Sequence, residues 1–525
     1  MQMAATFFEW AVCEGEGVWT VNEGRDYPRL SWEGKPGTVL GVRLSSLLSG
    51  DGSEDDPYLI YTLQDADTIG LFPCEQDKHF RLMFLEGEGR EHNPYLIRTA
   101  GQLELMGRCP YERDAHFKLM ANIDLDPNLP GGRVFDKAVI APDTDPAAGG
   151  YQGTPFTGTF DGNGYVISHL TVRGQGYLGL FGQLGTSGTP GGDVKNLGVV
   201  DVNIVGLGSP SIFGSGGPVG GLIGLNSRIV TQCYSTGTVS GTGSVGGLVG
   251  WNDGVLTSCC SAGAVHGNDN VGGLVGFAGW NASIWDCYST SSVSGDDSVG
   301  GLVGLADWYS ECLVCGVWSA DISRCYSAGP VSGANRIGGL VGLGVDTFYD
   351  FGGERCRWTE SFWDMQASAQ ATSAGGTGKT TAEMQTAKTF LDGGWDFVGE
   401  TANGTPDIWK IAEGLDYPRL WWEPYDGQVT VVPGQVFTVT LESNPSTGYR
   451  WEWVDHQDSI VEQIGQAQFK PRETGDPPLV GAGGWESFDF KAVHQGQMTL
   501  KLVYRRPWEE GVEPLKTFSL QVTVP

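Results

Sequence analysis

Positive charge is scarce in this chain: Lys and Arg number 32 against 62 Asp and Glu in 525 residues, a net charge of −30. A surface of that sign repels nucleic acid and anionic membranes, so neither is an expected partner. Long apolar runs are missing as well. No stretch of about 18 apolar residues occurs, and the opening MQMAATFFEWAVCEGEG carries neither early positive charge nor an apolar run of signal-peptide length. The sequence as read shows no export signal and no membrane anchor. Its one CxxC, Cys312 to Cys315, has no second pair and no nearby His, so no metal or other cofactor is implied.

Glycine, by contrast, is plentiful, at 82 residues, about twice the usual share. It follows no collagen period, and 40% of the chain is apolar, so the glycines mark tight turns rather than disorder. The expectation is an all-β protein dense in turns.

The turns recur. VGGLIG at Val219, VGGLVG at Val245, Val271 and Val299, and IGGLVG at Ile337 follow one another at intervals of 26, 26, 28 and 38 residues, periods that belong to a solenoid or array. Between them run IVTQCYSTGTVSG, LTSCCSAGAVHG, IWDCYSTSSVSG and ISRCYSAGPVSG. Each unit reads as two short β runs with Gly-rich corners, unable to bury an apolar side alone but able to stack on its neighbours. The repeat resembles the GLUG motif of bacterial surface and secreted proteins, clearly over residues 219–342. With the preceding FTGTFDGNGYVISHLTV, GLFG and VKNLGVVDVNIVG, the resemblance implies one right-handed parallel β-solenoid over 156–364. It also implies an extracellular or cell-surface location, and leaves the solenoid open as a surface for a carbohydrate or other cell-surface ligand.

Two duplications flank the repeats. DPYLIYTLQDADTIGLFPCEQDKHFRL and NPYLIRTAGQLELMGRCPYERDAHFKL are offset by 37 residues. Thr99 and Gln102 mark a capping box for a short helix through Leu103 and Met106, and residues 46–155 are expected to cap the solenoid's open strand edges. VWTVNEGRDYPRLSWE (18–33) returns as IWKIAEGLDYPRLWWE (408–423), so residues 1–45 read as the tail of an earlier copy and 365–424 as the closing cap. Within that cap, AGGTGKT imitates a phosphate loop. The required first glycine is Ser373, and the bland reading, a Gly-rich lead into a helix from Thr381, is preferred.

Cys233, Cys259, Cys287 and Cys325 hold one repeat phase and are expected to form an inward ladder of free thiols, since parallel Cβ vectors oppose bridging. Cys312, Cys315 and Cys356 fall in insertions, where a local disulfide is the favoured reading if the protein is secreted. Asp253, Asp269, Asp286, Asp296 and Asp297 read as turn acids at unrelated phases. A glycosidase needs two convergent carboxylates about 5–10 Å apart, so an enzyme is not expected. His169 and His266 read as ordinary edge residues.

From about residue 426 the repeats give way to alternating runs: QVTVV, QVFTVTLE, YRWEWV, SFDFKAV, MTLKLVY and TFSLQVTV. Six or more short strands in about 100 residues predict an immunoglobulin-like antiparallel β-sandwich over 425–525. Three loops break them: NPSTGY (444–449), GAGG (481–484) and RRPW (505–508), with Asn444, Gly481 and Arg506 spaced 37 and 25 residues apart. In that order they are similar to the three binding loops of the chagasin family of cysteine-peptidase inhibitors, with Ser446 where the family often has Thr. The resemblance implies that Asn444, Pro445, Ser446, Thr447, Gly448 and Tyr449 form a stiff wedge for a papain-like peptidase's cleft, with Thr447 near its thiol. It implies that Gly481, Ala482, Gly483 and Gly484 lie flat against the cleft wall, and that Arg506, Pro507 and Trp508 supply a rim contact and an aromatic anchor. The competing reading makes Trp508 and Tyr449 core aromatics. At the level of function, the alternative to an inhibitor is a structural or adhesive protein whose sandwich binds without inhibiting.

Overall fold

The computed structural model describes residues 48–524 except 54, 63–64, 66–77, 109–112, 187, 189–190, 209–216, 280, 307–319, 345–356, 399–402, 405, 412–413, 415, 424–427, 455–459, 472–482, 510–511 and 513; before them it describes the strands at 19–21, 29–30 and 38–39. The readings of Cys312, Cys315, Cys356, Gly481 and Ala482, and most of residues 1–45, lie outside the described residues. The chain divides into two compact units, one of Met1–Ile322, Tyr326–Arg357 and Thr372–Gly375, the other of Ser323–Cys325, Trp358–Ala371 and Gly376–Pro525.

In the first unit the repeats stack strand on strand, in parallel. Phe181–Leu184, Ile223–Asn226, Val249–Asn252, Val275–Ala278, Val303–Ala306 and Val341–Gly344 form one sheet, with Val249 paired to Val275 and Val275 to Val303. A second parallel series runs through Asp193–Lys195, Ile229–Thr231, Val255–Thr257 and Ser283–Trp285. A third runs through Gly198–Gly206, Tyr234–Ser240, Cys260–His266, Ser292–Gly300 and Val331–Gly338.

Each repeat therefore carries more than the two β runs expected. The extra strand is three residues long and is separated from the next by two residues, a left-handed one and then the cysteine: Gln232 at φ 54°, Ser258 at 51° and Asp286 at 53°. Such a corner needs no glycine or proline, although it strains an ordinary residue, so the sequence does not punctuate it.

The repeat signature follows from the packing. Leu222, Leu248, Leu274, Leu302 and Leu340 are fully buried, each contributing about 2 kcal/mol relative to exposure. The second glycine of each corner is needed for close approach, not for its φ: a Cβ on Gly247 would stand 2.1 Å from the Gly273 carbonyl oxygen, and one on Gly273 2.1 Å from that of Gly301. The serine after the cysteine closes the same corner. Ser261 Oγ donates to Gly273 O at 2.6 Å and Ser327 Oγ to Gly339 O at 2.7 Å. Cys233, Cys259, Cys287 and Cys325 are buried free thiols.

The parallel stack begins before residue 156. Tyr95–Ile97, His116–Leu119 and Thr159–Asp161 already belong to the second series, so the second duplicated copy contributes strands where a cap was expected. The helix Ala100–Arg108 forms as predicted and buries Leu103 and Met106. Thr99 Oγ1 accepts from Gln102 N, but the Gln102 side chain reaches back to Arg98 N, one residue earlier than a capping box requires. The first copy repeats the pairing: Tyr58 faces Phe80 as Tyr95 faces Phe117.

Among the described residues, the second unit opens with three short strands and three short helices. Asp364, fully buried, caps Met365–Ser368 and accepts a hydrogen bond from Tyr417 OH at 2.7 Å. The stretch that imitates a phosphate loop is the strand Thr377–Lys379 followed by Thr381–Met384, closed by a Thr380/Glu383 capping box. Trp395 and Trp409, both fully buried, meet at 4.5 Å between ring centroids. Trp409 pairs with Leu420 as Trp19 pairs with Leu30, so the two copies of the YPRL element share one register.

Among the described residues the sandwich has seven strands: β1 (Gln428–Thr430), β2 (Val436–Ser443), β3 (Arg450–Val454), β4 (Val461–Pro471), β5 (Gly484–Ala492), β6 (Gly496–Arg505) and β7 (Lys516–Val524). One sheet runs β1-β7-β6-β3 and the other β2-β5-β4. All pairs are antiparallel except β1 with β7. Phe437, Val439, Trp451, Phe488, Phe490, Leu500, Leu502, Phe518 and Leu520 fill the space between. Sequence alternation did not reveal β4, because its register slips between Ile464 and Gln468 and most of it is exposed.

Candidate functional site

Two antiparallel pairings bring the three loops together. β2 and β5 pair Ser443 with Gly484, which sets the 444–449 loop beside residue 483, and β3 and β6 pair Arg450 with Arg505, which sets it beside 506–508. Local sequence shapes the first loop. Pro445 starts a 3-10 turn, Pro445–Thr447; Asn444 Oδ1 accepts from Ser446 N at 3.2 Å and from Ser446 Oγ at 2.6 Å. Thr447 Oγ1 donates to Asn444 O at 2.6 Å, and Gly448 closes the turn at φ 82°, its N–H on Pro445 O. Pro445, Ser446 and Thr447 stand exposed on this rigid turn.

The third loop lies against the first. The Trp508 indole covers Gly448 so closely that a Cβ there would stand 2.5 Å from the ring. Glycine at 448 thus serves both the left-handed turn and the contact. Arg506 Nε donates to Thr447 O at 3.2 Å, its guanidinium sits 4.6 Å from the Tyr449 ring centroid, and Nη1 pairs with Glu509 at 2.9 Å. The bond to Glu509 raises the Arg506 pKa further, so the cation is permanent. Arg506 therefore ties the first and third loops together; the rim contact expected of it is one with a peptidase.

Gly483 lies 3.7 Å, at a built Cβ, from Asn444 Cβ, so Tyr449, Gly483 and Trp508 occupy one end of the sandwich. Gly484 differs from expectation: it is buried, and a Cβ there would strike Lys470 O at 2.1 Å. Its missing side chain serves the pairing of β4 with β5 rather than an outer surface.

Trp508 is 64% exposed, so the core-aromatic reading fails for it. Tyr449 is half-buried and stacks on Tyr504 at 5.4 Å, a supporting position. Sequence reasoning passed over Tyr504, whose hydroxyl accepts from Asn444 N at 2.7 Å, and Glu509. The alternation of β6 put Tyr504 in the core set, but the reach of its hydroxyl to another loop needs the pairing.

The acidic residues of the repeats need one correction. Asp269 and Asp297 share a phase, paired in register across the 28-residue interval. Arg336 Nε donates to Asp297 at 2.6 Å and holds that carboxyl below its usual range, the opposite of what a proton-donating acid needs. His169 bonds Asp124 at 2.8 Å and His266 bonds Ser294 Oγ at 2.7 Å, both at exposed positions.

Residues 430–522 match the family described as chagasin family peptidase inhibitor I42. The chain is 33% identical to Amoebiasin-2 of Entamoeba histolytica, over 16% of this chain and 68% of that one. It is 32% identical to Chagasin of Trypanosoma cruzi, over 15% of this chain and 73% of that one. The crystal structure of a cysteine protease inhibitor from Entamoeba histolytica aligns at 28% identity with 19% of this chain and 86% of its own, with a TM-score of 0.17. Through its C-terminal sandwich, the chain belongs to the chagasin family, a family of peptidase inhibitors and not of enzymes.

Proposed function

We propose that the C-terminal sandwich is a reversible, non-covalent inhibitor of papain-like cysteine peptidases, displayed by a right-handed, GLUG-type β-solenoid at the cell surface or outside the cell. The observation that carries the reading is the rigid end formed by Pro445–Thr447, Gly448, Gly483 and Trp508. A papain-like cleft is a groove between two walls, and an inhibitor must fill it without offering an extended, cleavable strand. A 3-10 turn cannot be drawn out as substrate while its capping bonds hold, and a loop already ordered loses little entropy on insertion. Trp508 then buries a large exposed indole on binding, as interface anchors do. For the display role, the support is the parallel stacking of the repeats and their motif.

The test is titration of the full chain against papain. Dose-dependent, dialysable inhibition with no covalent adduct is expected; full peptidase activity at high micromolar protein would favour an attachment module instead.

A further inference from the structure

We infer that the YPRL cap is a working part of the inhibitor: Asp407 and Trp421 act as positioning residues that hold the Gly483–Gly484 backbone through Trp485. The inference deepens the inhibitor reading and rests on it. Trp485 directly follows Gly484 and lies on the opposite face of β5 from Phe488 and Phe490, which fill the core. On a free sandwich that outer face meets water, and a bare indole there is an unfavourable exposure. Here Trp485 is only 5% exposed. Its Nε1 donates to Asp407 Oδ2 at 3.0 Å, and its ring meets Trp421 edge-on at 5.9 Å. Asp407 is itself held at φ 54°, a strained position for a side-chain-bearing residue.

The duplication supplies an independent observation. In the first copy of this element, the position matching Asp407 is Gly17 and that matching Trp421 is Ser31, whereas Trp409, Asp416, Tyr417, Pro418, Arg419 and Leu420 all recur. The two groups that grip Trp485 are thus absent from the copy that does not precede the sandwich.

Anchoring Trp485 fixes the start of β5, and with it the direction in which Gly483 leaves toward Asn444. The backbone at 483–485 is then ordered before a peptidase arrives, which slows dissociation more than it changes association.

Full-length Asp407→Ala and Trp421→Ser would be compared with the parent by amide hydrogen exchange and by papain inhibition kinetics. Exchange at Gly484 to Glu486 is expected to quicken about tenfold while that at Phe488 to Phe490 stays constant. The dissociation rate from papain is expected to rise about tenfold with little change in association, and Trp421→Phe is expected to restore both. Unchanged exchange at Gly484 to Glu486 in both variants would overturn the inference, whatever papain does. Failure of the parent chain to inhibit would remove the inhibitor reading alone, because the exchange measurement needs no peptidase.

Discussion

Trp508 and Gly448 carry separate demands that meet in one contact. The indole is the largest exposed apolar group at the loop end, and it rests on a residue with no side chain. Trp508→Ala is expected to weaken papain inhibition by about 2 kcal/mol or more, roughly thirtyfold. Its thermal unfolding should match the parent's, because the ring is outside the core; unchanged inhibition would reject the anchor. Gly448→Ala should act differently. It places a Cβ on a residue at φ 82° and against the ring, costing about 1 kcal/mol of strain and displacing the indole. Weaker inhibition with a lowered unfolding temperature is expected, and inhibition assayed beside thermal melting separates the two variants.

The repeat is where the glycine-rich pattern is explained at the level of elements. Gly-Gly-Leu places a buried side chain next to a corner that touches the next coil's backbone. Gly273→Ala would drive a Cβ to 2.1 Å from Gly301 O, between two backbones that cannot yield separately. A loss of about 2 kcal/mol or more is expected, read as a lower denaturation midpoint of the repeat unit. The thiols of the same element should be inert. Burial pushes the Cys233 thiol well up, with Cys259 next to it adding to the effect, so it stays neutral and shielded near pH 8. Site-resolved mass spectrometry after alkylation should find Cys233, Cys259 and Cys287 unlabelled in the native protein and labelled after denaturation. Native labelling at any of them would contradict the packed interior.

For the whole molecule, the repeats and the sandwich fall in different compact units, and the sandwich has a buried cluster of its own from Val431 to Val524. Calorimetry should therefore resolve more than one unfolding transition. Gly273→Ala should lower one of them and leave papain inhibition at its parental value. A single transition that moves as a whole would show the cores to be coupled.

Much of this was legible from the chain alone, because the information was periodic or local. A parallel stack repeats the same environment every coil, so Leu248, Leu274 and Leu302 recur at the coil spacing, and so do the cysteines. The turn at 444–449 is written in its own residues: Asn444 caps, Pro445 presets φ, and Gly448 admits the left-handed end. What tertiary structure alone decided is where distant residues meet. That Arg506 ties loops, that Gly484 is demanded by Lys470, and that Trp485 is held by Asp407 all depend on pairings between segments up to 78 residues apart. The left-handed corners at Gln232, Ser258 and Asp286 belong here too. Gln and Ser have no local preference for that conformation, and at Gln232 and Ser258 the energy of the stacked coils holds it.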